Sequence, residues 1–172
     1  MRILIINSEF PPVGGGAGNA SANLARVLAS LGQEVTVLTV RFGGQARREA
    51  VDGYIIRRVS ALRRRADRSG ALEQTAFILA GAAGALGIVR QHRPQVVLAF
   101  FGVPAGVIGL GLRVVFGLPY IVSLRGGDVP GFRPYDFARY HQMIGPLLHM
   151  VWRRAASVVA NSEGLRAMAQ RF

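Results

Sequence analysis

The sequence predicts an α/β fold: one doubly wound, mainly parallel sheet with helices on both faces, spanning residues 1–172 as a single domain. Three observations carry this expectation. Short apolar runs alternate with longer stretches of helical periodicity. The short runs, such as Ile3-Leu4-Ile5-Ile6, are continuous rather than alternating, as in strands covered on both sides. No two-residue hairpin turn follows the first run; Pro11-Pro12 and Gly14-Gly15-Gly16 make a long loop instead. Parallel strands need such crossovers, which usually contain a helix.

The elements follow in order. Arg2–Asn7 reads as the first strand. A helix from Ala17 or Gly18 to Leu31 places Leu24, Val27, Leu28 and Leu31 on one face, and Gly32 stands just past its end. Glu34–Val40 and Tyr54–Val59 read as strands. Ala71–Gln91 reads as a long helix whose alanines and glycines allow close packing on a sheet. Gln95–Phe100 is a strand introduced by Pro94, Pro104–Phe116 a helix, and Pro119–Leu124 a strand. Tyr135–Ala155 reads as helical with a break at Gly145-Pro146. Ser157–Ala160 is a short strand, and Glu163 opens a last helix.

Composition excludes several classes. Apolar residues make up 51% and charged residues 17%, which excludes a disordered chain. With no cysteine there is no disulfide framework, thiolate metal site or cysteine nucleophile, and a cytoplasmic location is the expectation. The apolar start ends at Asn7-Ser8-Glu9, too soon for a secretory leader. Val96 to Leu112 carries no charge, but its glycines and Pro104 favour a buried strand–turn–helix over a membrane span. His92, His141 and His149 lack metal-ligand spacing, and no acid cluster accompanies them. The net charge of +12 comes entirely from arginine among the basic side chains and predicts attraction to anions.

In doubly wound folds, ligands bind beyond the carboxyl ends of the strands. Three motifs fall there. The first is 11–19, where glycine backbone N–H groups at a helix N-terminus suit a phosphate. It is not a dinucleotide fingerprint, because Asn19 and Ser21 stand where the third glycine is required. It is not a nucleoside-triphosphate loop either, because the chain has no lysine. The second motif is 123–131. Arg125 can hold a phosphate or carboxylate; Asp128 can accept from hydroxyls or act as a base; the two can also pair to tie down their loop. The third is 160–164, where Asn161 or Ser162 can cap the last helix. Arginine clusters at 57–58, 63–68 and 153–154 read as solvated surface, and an apolar stripe from Tyr140 to Trp152 flanked by Arg139, Arg153 and Arg154 as core; the alternative is peripheral contact of 57–68 and the 139–154 helix with anionic membrane at its inner face.

Together the motifs resemble one family. Ser8-Glu9-Phe10-Pro11-Pro12 through Gly15-Gly16-Ala17-Gly18, then Leu24-Ala25, Leu28 and 31–39, resemble the start of family-four glycosyltransferases; 124–131 and 158–164 are similar to two later landmarks of their first domain. The resemblance implies the acceptor-side, Rossmann-like first domain of a retaining, nucleotide-sugar-dependent enzyme of the GT-B fold, which transfers a hexose to a hydroxyl acceptor. It implies no metal and no cofactor, only the nucleotide-sugar as co-substrate. Donor diphosphate is then expected at Gly15 and Gly16, and acceptor or sugar at Gly18, Asn19, Gly126, Gly127, Asn161, Ser162 and Glu163, with Asp128 and Arg125 as catalytic candidates. The family often has His where this chain has Arg125, and Arg there suits a phosphate or an acidic acceptor. The donor-binding second domain and its paired-Glu motif are absent from the 172 residues, so the isolated chain is expected to be inactive and to self-associate through its exposed cleft face. The reading that competes is a non-catalytic basic module for an anionic partner, membrane lipid or nucleic acid. No nucleic-acid motif is present, and none is expected to bind.

Overall fold

The computed structural model describes residues 1–132 and 134–172; the side chains of 134–140 lie outside the description, and with them the expected contributions of Arg139 and Tyr140. Among the described residues seven strands and five helices follow in order: β1 (Arg2–Ile6), α1 (Gly16–Ser30), β2 (Glu34–Val40), β3 (Arg48–Val51), β4 (Tyr54–Val59), α2 (Ala71–His92), β5 (Val96–Phe100), α3 (Val107–Phe116), β6 (Tyr120–Leu124), α4 (Pro134–Arg154), β7 (Ser157–Ala160) and α5 (Glu163–Arg171). They form one sheet in the order β3-β4-β2-β1-β5-β6-β7. Every pairing is parallel except β3 with β4.

The continuous apolar character of β1 has its explanation here. Ile3 and Ile5 face a core shared with Ala25 of α1, while Leu4 and Ile6 face a larger core with Phe77 and Ile88 of α2 and Ile108 of α3. Close approach of α2 to α3 requires glycine. A Cβ at Gly81 would lie 2.7 Å from Ile108 Cδ1.

Two sequence expectations are corrected. The strand β3 was not foreseen: Arg48-Glu49-Ala50-Val51 lacks an apolar alternation because this edge strand is exposed for most of its length. It joins β4 through Asp52-Gly53, both at positive φ, the dipeptide favoured in tight hairpins. The break expected at Gly145-Pro146 does not occur, and α4 continues through Pro146. The uncharged run from Val96 to Leu112 resolves as β5, an irregular turn at 101–106 and the start of α3.

The order of crossovers positions the site. From β1 the chain winds one way through β2 and β4, then returns to β5 on the other side of β1. The switch point therefore lies between β1 and β5, where such sheets open a crevice at their carboxyl ends.

Candidate active site

At that crevice the loop after β1 is built first. Asn7 is fully buried, yet its side chain is satisfied: Nδ2 donates to Ser21 Oγ at 2.9 Å, and Oδ1 accepts the Glu9 N–H at 3.0 Å. This ties the end of β1 to α1. The glycines divide into two kinds. Gly14 has φ +85°, and an added Cβ would meet Glu9 Cβ at 2.5 Å. Gly18 is buried, with Val13 O 3.0 Å from such a Cβ. At Gly15 and Gly16 an added Cβ meets nothing within 4 Å. So Gly14 and Gly18 are packing glycines, and Gly15 and Gly16 leave the N-terminus of α1 uncovered. No side chain caps that terminus by hydrogen bonding from the N-cap position. Burial pushes the Glu9 carboxyl above the usual range, with the Arg63 charge and the nearby Gly15 N–H opposing.

The loop after β6 is built around Asp128. Its Oδ1 accepts the N–H of Arg125 at 2.9 Å and of Gly126 at 3.1 Å, and its Oδ2 accepts the N–H of Gly102 at 3.1 Å. The carboxylate thus fastens the β6 loop to the turn after β5. Burial raises its carboxyl above the usual range, and the backbone N–H bonds pull the other way. His141 Nε2 donates to the Gly127 carbonyl at 3.0 Å. Gly126 sits at φ +112°, with the Phe132 ring 2.7 Å from where a Cβ would be.

Arg125 is held differently from the ion pair that its spacing to Asp128 suggested. Its guanidinium lies over the Phe100 ring, 4.4 Å from the centroid, and no Arg125–Asp128 side-chain ion pair forms among the described residues. Its Nε is buried without a hydrogen-bond partner. Burial pulls its pKa down from the usual arginine value, and the Asp128 charge opposes this. An unpartnered buried donor on a cation is expensive unless an acceptor arrives.

Arg125, Gly127 and Asp128 line one cleft of about 440 Å³ together with Ser8, Glu9 and Gln74. Sequence reasoning missed Ser8, Glu9 and Gln74 as lining residues. Glu9 beside Pro11-Pro12 carried a signal, a charged residue directly after a buried strand; Gln74 carried none, because α2 delivers it from another part of the chain. Asp67 and Arg68 also reach this cleft. The Gly14 N–H donates to the Ala66 carbonyl at 2.7 Å, which anchors their segment against the glycine loop.

The third motif stands apart. Asn161, Ser162 and Glu163 line a separate recess of about 520 Å³ with Trp152 and Arg166. Ser162 Oγ accepts the Leu165 N–H at 3.2 Å, so the capping role is realised. Glu163 pairs with Arg166 at 3.5 Å. Asn19 is exposed on α1 and lines neither recess. Among the described residues, no cluster of His, Cys, Asp and Glu has the makings of a metal site.

The sequence profile described as Glycosyltransferase Family 4 matches residues 14–172. No curated protein matches the chain. Among solved structures, sucrose-phosphate synthase from Thermosynechococcus elongatus superposes with a TM-score of 0.75 at 17% identity, over 100% of this chain and 45% of that one. MurG of Acinetobacter baumannii gives 0.54 at 18% identity, over 92% and 40%. A UGT transferase from Siraitia grosvenorii, in complex with UDP, gives 0.59 at 12% identity, over 99% and 47%. The chain thus spans under half the length of each. At these identities the likeness is one of fold, the Rossmann-like fold seen in GT-B glycosyltransferases.

Proposed function

Because the chain belongs to glycosyltransferase family 4, we propose that it forms the acceptor-side half of a retaining, nucleotide-sugar-dependent enzyme that transfers a hexose to a hydroxyl acceptor. The observation that carries this reading is the convergence at the β1/β5 switch point. An uncovered helix N-terminus at Gly15 and Gly16, and a cation with an unpartnered buried N–H at Arg125, belong to loops that flank one cleft. Both suit anionic oxygen, the first through backbone N–H groups and the helix dipole, the second through a planar guanidinium. Ser8 and Gln74 add polar side chains to the same wall, as hydroxyl recognition needs.

In this reading Arg125 contacts substrate, and Asp128 is a positioning residue. Three backbone N–H groups already occupy the Asp128 carboxylate, and its work is to hold Arg125 and the turn after β5 in register. Gly15 and Gly16 take donor diphosphate, against the repulsion of the nearby Glu9 carboxylate. The donor's base and sugar are recognised by a second domain facing this cleft. The 172-residue chain alone then binds nucleotide diphosphate weakly and transfers nothing.

Two measurements on the purified chain test this. Titration with UDP and with TDP, followed by amide chemical shifts, is expected to move the Gly15, Gly16 and Arg125 signals. Incubation with nucleotide-sugars and simple hydroxyl acceptors is expected to release no nucleotide. Shifts confined to other surfaces would refute the site, and turnover would refute the need for a second domain.

A further inference from the structure

Helix α2 is unusual for a helix packed on a sheet. It runs for 22 residues without a charge between Gln74 and Val89. It is long and apolar enough to cross a membrane, with a mean hydropathy of 1.5, yet only 22% of its most apolar window is buried in the protein. Phe77, Gly81, Ala85 and Ile88 form the face that meets the core. The opposite face carries Leu72 and Leu79, each 70% exposed, and Ala83 in line with them. Burying such side chains is favourable, so this ridge is apolar surface with nothing of its own to cover it.

An arginine cluster adjoins it at the sheet edge. Arg48 stands directly opposite Arg57 in the β3–β4 register. Like charges so placed destabilise a hairpin. Arg47, Arg48 and Arg57 line a recess of about 360 Å³ whose far wall is Gly84 of α2. An added Cβ at Gly84 would lie 2.8 Å from Val59 Cγ1, so the helix comes this close only with glycine there. Arg58 pairs with Glu49 at 2.7 Å; Arg47, Arg48 and Arg57 have no ion-pair partner among the described residues. None of these three, and neither leucine, lines the cleft.

We propose that this face docks on an anionic lipid surface, the α2 ridge entering the interface while Arg47, Arg48 and Arg57 hold head-group phosphates. A soluble phosphate would satisfy the arginines but leave Leu72 and Leu79 in water. A second copy packed through the same face would bring like arginine clusters towards each other. An anionic bilayer answers both features, because it offers apolar depth beside negative charge. The surface goes beyond the glycosyltransferase reading and does not depend on it. It shares Arg57 with the membrane contact expected from the sequence but otherwise uses different residues. In the rest of that region Arg63 donates to the Arg65 and Ala66 carbonyls, and Arg65 and Arg68 share Asp67, which offsets part of their charge.

The test is cosedimentation of the 172-residue chain with phosphatidylcholine vesicles, with and without phosphatidylglycerol, at low and high salt. The wild type is expected to sediment only with anionic vesicles and to be released by salt. The variant Arg48→Glu with Arg57→Glu is expected to bind at least about twenty-five-fold more weakly, at about fivefold per arginine. Leu72→Ser with Leu79→Ser is expected to lose at least about tenfold through lost apolar burial. Arg153→Glu with Arg154→Glu, on exposed α4, is expected to retain most of the affinity. Unfolding midpoints check that each variant is folded, and Arg47→Gln with Arg48→Gln replaces the first pair if it is not. Absence of wild-type binding, or undiminished binding by the arginine variants, would overturn the proposal. Undiminished binding by the leucine variant would leave a phosphate site without docking and overturn it too. So would loss in the α4 variant alone, or concentration-dependent self-association through the leucines without vesicle binding.

Discussion

Replacing Asp128 separates a structural carboxylate from a reacting one. In Asp128→Ala, the N–H groups of Arg125, Gly126 and Gly102 lose their acceptor at once. A buried donor left unsatisfied costs about 1–3 kcal/mol, and water entering from the cleft recovers part of that. The relief of no longer burying a carboxylate offsets a further part, so the expected loss is about 3–5 kcal/mol. For a chain of this size that lowers the Tm by about 10 °C. Asp128→Asn behaves differently. Its remaining oxygen can still accept from Arg125 and Gly126, but its amide N–H₂ faces the Gly102 N–H, donor against donor. The expected loss is about 1–2 kcal/mol, or about 4 °C. The assay is thermal and urea unfolding by circular dichroism, with the Gly102 and Arg125 amide shifts as a local readout. If Asp128→Ala leaves the midpoint within about 2 °C of wild type, or if Asn is as harmful as Ala, the clamp is not what the carboxylate does.

Two further outcomes follow from the glycine loop. Gly14→Ala is expected to destabilise by about 2 kcal/mol or more, because the position has φ +85° and the new methyl meets Glu9 Cβ at 2.5 Å. Gly16→Ala, whose methyl meets nothing within 4 Å, is expected to unfold like the wild type while weakening UDP binding; equal stability of the two variants would sink the distinction. Glu9 gives a pH dependence. Its carboxyl is raised above 4.5 by burial, so the folded state holds the proton more tightly than the unfolded one. Its ionised form therefore destabilises the fold above that raised value, and stability relative to Glu9→Gln should rise as the pH falls through it, levelling below 4.5. Glu9→Gln should also bind UDP more tightly at neutral pH; parallel stability curves for the two proteins would refute the account.

Local pattern made most elements legible. Ile3-Leu4-Ile5-Ile6 declared a strand covered on both sides, and the ranges of β2, β4 and β7 agree with the sequence reading residue for residue. The hairpin strand β3 escaped because an exposed edge imposes no apolar period, although Asp52-Gly53 was a usable signal. Pro146 suggested a break that α4 absorbs. At the cleft, the sequence singled out Arg125 and Asp128 as binding or catalytic candidates, with a mutual ion pair as the alternative reading of their spacing. In the fold Asp128 accepts the backbone N–H groups of Arg125, Gly126 and Gly102, while the Arg125 guanidinium lies over Phe100.

What the sequence determined alone was the class of fold, the placement of glycine-rich loops after strands, the excess of arginine and the family to which these motifs belong. These are local or compositional properties, written in period and spacing. What only the tertiary structure decided was who meets whom. Hydrogen-bond partners separated by many residues, the meeting of Glu9, Gln74 and Arg125 around one cleft, the separation of Asn161–Glu163 into another recess, and the arginine recess against Gly84 all depend on strand order and helix packing. Contacts across a sheet are set by which crossover lands beside which strand, and no local periodicity encodes that.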